Sequence, residues 1–277
     1  FMQHPPIVVM HGVYQNAAMM IPFVHFLKQN LPNTYVKNCE GISLLDSMFS
    51  TIKDQVEELS ICINNDKKLE KGFVAIGYSQ GGYLFRNYIQ NFNHLRYPVL
   101  RFIGIASPIG GMFCGHTQKC FVLFRPIADA VNPDTTYTDE AQSFVGALNY
   151  WRIPNYLDRY VKGAYDLPLL DNLREYEENR KTNFMSVDKY ILLGSPNDGV
   201  ICPWNSAFFG QHGKDDDENI DFWNRPDYEA DNFGLKSMHE QGRIQMIETP
   251  FHHVEYILPH AQSFLKEHML PWVDMEY

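Results

Sequence analysis

The chain is short of positive charge. Its 277 residues carry 23 Lys and Arg against 33 Asp and Glu, a formal net charge of −10 at neutral pH. A surface of that sign cannot neutralise a phosphate backbone, so nucleic acid is excluded as a principal partner. Attachment to an anionic membrane by charge alone is excluded for the same reason. Long apolar runs are lacking too. The longest stretch without Asp, Glu, Lys or Arg runs from Phe1 to Leu27, yet His4, His11, Gln15, Asn16 and three prolines interrupt it. Its longest apolar pieces, Ile7–Met10 and Ala17–Ile21, fall far below the roughly 20 residues of a membrane span. No cationic segment precedes an apolar run, so no signal peptide is read here, and no N-x-[ST] sequon argues for the secretory route. H-x-x-x-H and C-x-x-C are absent, as are G-x-G-x-x-G and a Walker loop, so neither a metal nor a nucleotide cofactor is expected. The five cysteines (Cys39, Cys62, Cys114, Cys120, Cys202) are an odd number. Cys114 and Cys120 enclose a short loop suited to a local disulfide; five idle thiols are the even alternative.

What is present suffices for a full core, with 45% hydrophobic and 14% aromatic residues. The length fits two domains of roughly 150 residues, or one α/β domain carrying an insertion. Ile7–Met10, Thr34–Asn38, Phe73–Ile76 and Leu100–Ala106 read as strands, the apolar ones buried on both faces. Leu45 to Ile63 shows apolar residues every three or four positions, which predicts one long helix, and Tyr83–Phe92 predicts another. Strands alternating with helices imply a mostly parallel sheet covered on both sides. The alternation stops from Ile109 to Val187 and returns at Tyr190–Leu193 and Ile244–Ile247, with a last helix at His260–Met269. The expected organisation is therefore a core from 1–111 and 186–277, with a largely helical insertion at 112–185. The acidic run Asp215–Glu218 reads as a solvated loop.

Gly77-Tyr-Ser79-Gln-Gly81 has the form G-x-S-x-G, with a strand before it and a helix after it. By composition alone the pattern arises in roughly one chain in twenty of this length; the strand–turn–helix setting is what points to a nucleophilic serine. Such a serine needs an acid and a base, following it in that order. Asp198 sits in the turn-rich loop after Tyr190–Leu193, and His252-His253 follow the strand Ile244–Ile247. Only one of the two histidines can face the serine, and His253 is favoured over His252. The oxyanion donors are expected to be the backbone amides of Gln80 and of Val13, the latter in the loop after β-strand Ile7–Met10. His11 is expected to brace that loop and not to act as a base.

His11-Gly12, Gly77-Tyr-Ser-Gln-Gly-Gly82, Asn149-Tyr-Trp151 and Asn197-Asp-Gly-Val-Ile-Cys-Pro-Trp204 resemble the palmitoyl-protein thioesterases. So do Phe208-Phe-Gly210, Phe233-Gly-Leu-Lys236 and Pro271-Trp272, in matching order along nearly the whole chain. The Asp-Gly-Val-Ile-x-Pro-Trp and Phe-Gly-Leu-Lys stretches look closer to the lysosomal branch often called palmitoyl-protein thioesterase 2. The resemblance implies an α/β-hydrolase core, a helical lid that houses an acyl chain, and hydrolysis of long-chain acyl thioesters in lysosomes. It implies Ser79 as nucleophile, Asp198 as acid, His253 as base, and Val13 and Gln80 as oxyanion donors. Cys114 and Cys120 fall where the family carries a loop disulfide. Two departures stand out: Arg152-Ile153-Pro154 replaces the His-Asp-Pro that commonly follows Tyr-Trp, and Cys62 has a family-like place but no evident partner after Phe92.

The expected reaction is two-step acyl transfer from a fatty-acyl thioester, either a lipidated protein or acyl-coenzyme A, through an acyl-serine. The aromatic-rich insertion, with Phe121, Phe124, Tyr150, Trp151 and Leu170, is the expected acyl pocket. The rival readings are a lipase or carboxylesterase acting on oxygen esters, a peptidase, and an inactive hydrolase fold that binds lipid. The lysosomal or secretory-lumen location rests on the resemblance alone.

Overall fold

The computed structural model describes residues 4–114, 132–214 and 218–274. The apolar runs become strands β1 (Ile7–Met10), β2 (Val36–Asn38), β3 (Phe73–Tyr78), β4 (Val99–Ile105) and β5 (Tyr190–Gly194). Two short strands, β6 (Gln211–His212) and β7 (Asn219–Ile220), pair as an antiparallel hairpin, and β8 (Ile244–Glu248) follows. The six others form one all-parallel sheet in the order β2-β1-β3-β4-β5-β8.

Strand alternation sorts each strand's side chains into two cores, as a sheet covered on both faces requires. Ile7 and Val9 of β1 point into one, with Phe23 and Leu27 of α1 (Ile21–Asn30) and Leu265 of the last long helix, Gln262–His268. Val8 and Met10 point into the other. There they meet α3 (Ile52–Asn64) through Val56, Leu59 and Ile63, and α4 (Gln80–Phe92) through Leu84 and Phe85. Each such side chain, fully buried, stabilises the fold by about 1.5–3 kcal/mol.

Two expectations need correcting. The single helix expected from Leu45 to Ile63 is two, α2 (Asp46–Phe49) and α3. Thr51 is extended and its hydroxyl accepts the Asp54 amide at 3.1 Å, a new N-cap that restarts the helix. Leu45 and Phe49 consequently leave the apolar stripe and are 63% and 44% exposed. Cys62 does have a partner: it is bonded to Cys39, which directly follows β2, with Cα atoms 5.9 Å apart. The hairpin β6–β7 had no counterpart in the sequence reading, because two-residue strands carry no periodicity.

Cys114 is disulfide-bonded, while its expected partner Cys120 lies outside the described residues. So do Phe121, Phe124 and Asp215 to Asp217. Cys202 is buried, and burial beside the Asp198 charge pushes its thiol up to about 12, which keeps it unreactive. Between β4 and β5 the described chain is helical, with short segments such as Asp139–Phe144, Leu157–Gly163 and Glu178–Ser186 and one isolated bridge, Met112 to Trp151. Phe184 of the last segment joins the core beside α4.

Candidate active site

β3 passes into α4 through the single residue Ser79, which is held at φ +54°. That left-handed backbone is strained for a side chain bearing a Cβ and turns the hydroxyl outward from the chain. The glycines on either side make the turn passable. A Cβ on Gly77 would stand 2.3 Å from Gly82 Cα, and one on Gly81 would stand 2.4 Å from the Met10 carbonyl oxygen. The Ser79 amide donates to the Ile105 carbonyl at 2.8 Å, tying the turn to β4. A serine at a helix N-cap ordinarily accepts a first-turn amide. Ser79 does not: its Oγ stands 3.0 Å from His253 Nε2.

His253 arrives from the loop after β8, and Asp198 from the loop after β5. Asp198 Oδ1 accepts the Val200 and Ile201 amides at 3.0 and 2.7 Å, so one carboxylate oxygen is fixed by backbone. The other, Oδ2, lies 2.9 Å from His253 Nδ1. The His253 amide also donates to the Asp198 carbonyl at 3.0 Å, so the two loops are joined twice. An acceptor at Nδ1 assigns the proton there and leaves the Nε2 lone pair facing the serine. All three residues are buried, at 4–7% exposure. His252 is exposed and serves instead as the N-cap of the turn His253–Ile257, its amide donating to Glu255 Oε2 at 2.6 Å.

Tyr78 completes the support and was not singled out by sequence. Its hydroxyl donates to the His253 carbonyl at 2.8 Å and its ring lies 5.2 Å from the imidazole. Burial pushes its phenol pKa far up, so it stays a donor. Its position directly before Ser79 was the available signal.

The Gln80 side chain is saturated. Its Nε2 donates to the Ser47 carbonyl and to Gln55 Oε1, both at 2.8 Å, and its Oε1 accepts the Tyr150 hydroxyl at 2.8 Å. The backbone amide of Gln80 belongs to the first turn of α4, where the helix supplies no acceptor. In the loop after β1, the Gly12 amide goes to Gln15 Oε1 and the Tyr14 amide to Ser47 Oγ. Val13 lies between them, and its amide makes no hydrogen bond among the described residues. His11 is buried, with ring nitrogens 2.9 Å from the Gly12 carbonyl and 3.1 Å from that of Ile42. Burial lowers its pKa, and its ring braces the loop through these two carbonyls.

Of the described residues named for the acyl pocket, only Tyr150 is tied to the elbow, through Gln80 and through its ring, 4.5 Å from that of Tyr83. Trp151 is buried beside Phe113. Leu170 is buried, and its carbonyl accepts from Gln90, ten residues along α4 from Gln80 and so about 15 Å from the elbow. Between these ends, Tyr83 and Asn87 donate to Asp166 at 2.7 and 2.5 Å. Burial nevertheless raises the Asp166 carboxyl to about 6. Arg86, fully buried, donates to Asp171, Gln90 and the Ile109 carbonyl, while Arg225 takes the other oxygen of Asp171 at 2.8 Å and also pairs with Asp227. Among the described residues no group of His, Cys, Asp and Glu is gathered as a metal site.

The parallel sheet and strained serine elbow define an α/β hydrolase, and solved structures agree on the fold. A Bacillus licheniformis lipase superposes with a TM-score of 0.52 at 13% identity, covering 98% of this chain and 93% of its own. A Rhodococcus esterase gives 0.52 at 13%, covering 99% and 92%. A family profile for palmitoyl protein thioesterases matches residues 6–253, and the chain belongs to that family. It is 30% identical to a Drosophila melanogaster protein named a lysosomal thioesterase PPT2 homolog, over 98% of this chain and 92% of that one. The human lysosomal thioesterase PPT2 is 26% identical over 98% and 88%, and Dictyostelium discoideum palmitoyl-protein thioesterase 3 is 28% identical over 97% and 92%. Among the described residues no helix is long and apolar enough to cross a membrane.

Proposed function

We propose that this thioesterase-family hydrolase cleaves long-chain fatty-acyl thioesters, S-palmitoyl cysteine or palmitoyl-coenzyme A, through an acyl-serine intermediate. The observation that carries the reading is the buried relay from Asp198 Oδ2 through His253 to Ser79 Oγ, with steps of 2.9 and 3.0 Å. Ser79 Oγ attacks the thioester carbonyl while His253 Nε2 takes its proton, and Asp198 orients and stabilises the imidazolium. The amides of Val13 and Gln80 receive the oxyanion, each such donor being worth about 3–4 kcal/mol in the transition state. The thiolate leaves readily because its conjugate acid has a pKa of about 8.5, so protonation by His253 matters less than it would for an amine. Water, deprotonated by His253, then releases the fatty acid.

Residues 112–185 form the acyl-binding insertion in this reading, with Phe121, Phe124, Tyr150, Trp151 and Leu170 as lining. Each buried CH₂ adds about 0.8 kcal/mol, which gives a long-chain preference. The names of the relatives support a lysosomal place of work. The test is hydrolysis of palmitoyl-coenzyme A, acetyl-coenzyme A and a palmitoyl oxygen ester by wild type and Ser79→Ala. Thiol release from the palmitoyl thioester, lost in the variant and weak with acetyl, is expected. Turnover of the oxygen ester alone would make the protein a lipase, and no turnover at all would leave a lipid-binding fold.

A further inference from the structure

A groove of about 240 Å³ opens at the free edge of the sheet, lined by Met246 and Glu248 of β8 among others. Glu248 pairs in register with Gly194, the residue from which the Asp198 loop departs. The groove thus lies at the carboxyl ends of the strands, where open α/β sheets bind their ligands. Its walls are indoles. Trp204 stands edge-on to Phe208, with ring centres 5.7 Å apart. Trp223, although 42% exposed, is held edge-on to Phe222 at 4.9 Å and stacked on His239 at 6.2 Å.

Two carboxylates, Asp221 and Glu248, line the groove, and among the described residues no Lys or Arg does. Asn205 lines it as well and is only 3% exposed. Its amide nitrogen donates to the Ile220 carbonyl and to Asp221 Oδ1, both at 3.2 Å, which fixes the orientation of the group. That leaves Oδ1 buried with no hydrogen-bond partner. A buried acceptor without a donor is costly and rare in native proteins. Indole faces, carboxylates and an idle acceptor share one complement: a positively charged donor on an apolar stem.

We propose that this groove binds the ammonium of a lysine side chain on the protein part of an S-acylated substrate. The proposal rests on the thioesterase reading above and assigns the leaving-group side of the same site. The test uses two S-palmitoyl peptides differing only in lysine or norleucine next to the acyl cysteine, with palmitoyl-coenzyme A as control. KM for the lysine peptide should be about fivefold lower in the wild type, with kcat unchanged. Trp223→Ala and Glu248→Gln should each erase that preference without raising KM for palmitoyl-coenzyme A, whose phosphates the carboxylates repel. Equal KM values in the wild type, or a preference that survives both variants, overturns the proposal. A tryptophan-fluorescence titration with acetyl-lysine methylamide and its norleucine counterpart, in wild type and Glu248→Gln, reads the groove without turnover. Were no thioester cleaved, the catalytic reading would fall, and saturable lysine-specific quenching would still uphold the groove while its absence would overturn it.

Discussion

The two ends of α4 carry buried polarity of opposite kinds. At its C-terminal half, Arg86 is sealed among Asp171, Gln90 and a carbonyl, and Asp171 is shared with Arg225. Charge meets charge there and nothing remains to react. At its N-terminus, Ser79 and Gln80 are buried as well and Val13 is half-buried beside them, but they are left with capacity: a hydroxyl on an imidazole, and N–H groups without acceptors among the described residues. Burial alone therefore does not mark a functional site. Saturated polarity holds a fold together, and unsaturated polarity aimed at one point is poised for chemistry.

Breaking the poised end should give the largest effect. Asp198→Asn keeps an oxygen for the Val200 and Ile201 amides but turns an NH₂ toward His253 Nδ1, inverting the tautomer. We expect kcat on palmitoyl-coenzyme A to fall about 10⁴-fold with the melting temperature nearly unchanged. Breaking the sealed end should do the reverse. Arg86→Met leaves Asp171 with one partner and should cost about 3–5 kcal/mol, a fall of roughly 10 °C in calorimetry, while each folded molecule keeps its turnover.

Asp166, between the two, sharpens the contrast through pH. Its carboxyl is raised from 3.8 to about 6, so the folded chain holds a proton that the unfolded chain has released. Its contribution is complete below the unfolded value and is lost as pH rises through the folded one, a swing of about 3 kcal/mol. Thermal scans should therefore show stability from this residue declining as pH rises from about 4 to about 6, and Asp166→Asn should flatten that slope. The smallest expected effect is that of Tyr150→Phe, which deletes one hydrogen bond to Gln80 Oε1 and should cost about 1 kcal/mol in denaturant titration.

The readable parts of this molecule are those whose physics is local. Gly77, Ser79 and Gly81 announce the elbow because a tight turn and a strained serine need those residues within five positions. The strands of the sheet are buried on both faces, so they read as continuous apolar runs. The break at Thr51 was also local, as a threonine three residues before Asp54, but the apolar spacing on either side masked it. The disulfide Cys39–Cys62 and the Arg86–Asp171–Arg225 pairs join residues 23, 85 and 54 positions apart. No window of sequence holds both partners, and only the packing of helices on the sheet brings them together. The choice between His252 and His253 was of that kind too, since it depended on which ring the loop after β8 turns inward.

The relay has a consequence in time. Ser79 and His253 are 174 residues apart, and the imidazole hangs from the loop beyond the last strand of the sheet. A chain emerging from the ribosome completes its elbow long before it acquires a base, and the helix Gln262–His268 that packs Leu265 behind that region comes later still. The nascent protein therefore passes most of its synthesis with an inert serine. In the mechanism proposed above, the serine gains its base only after the segment beyond β8 has docked, so the reactive site is completed late in folding.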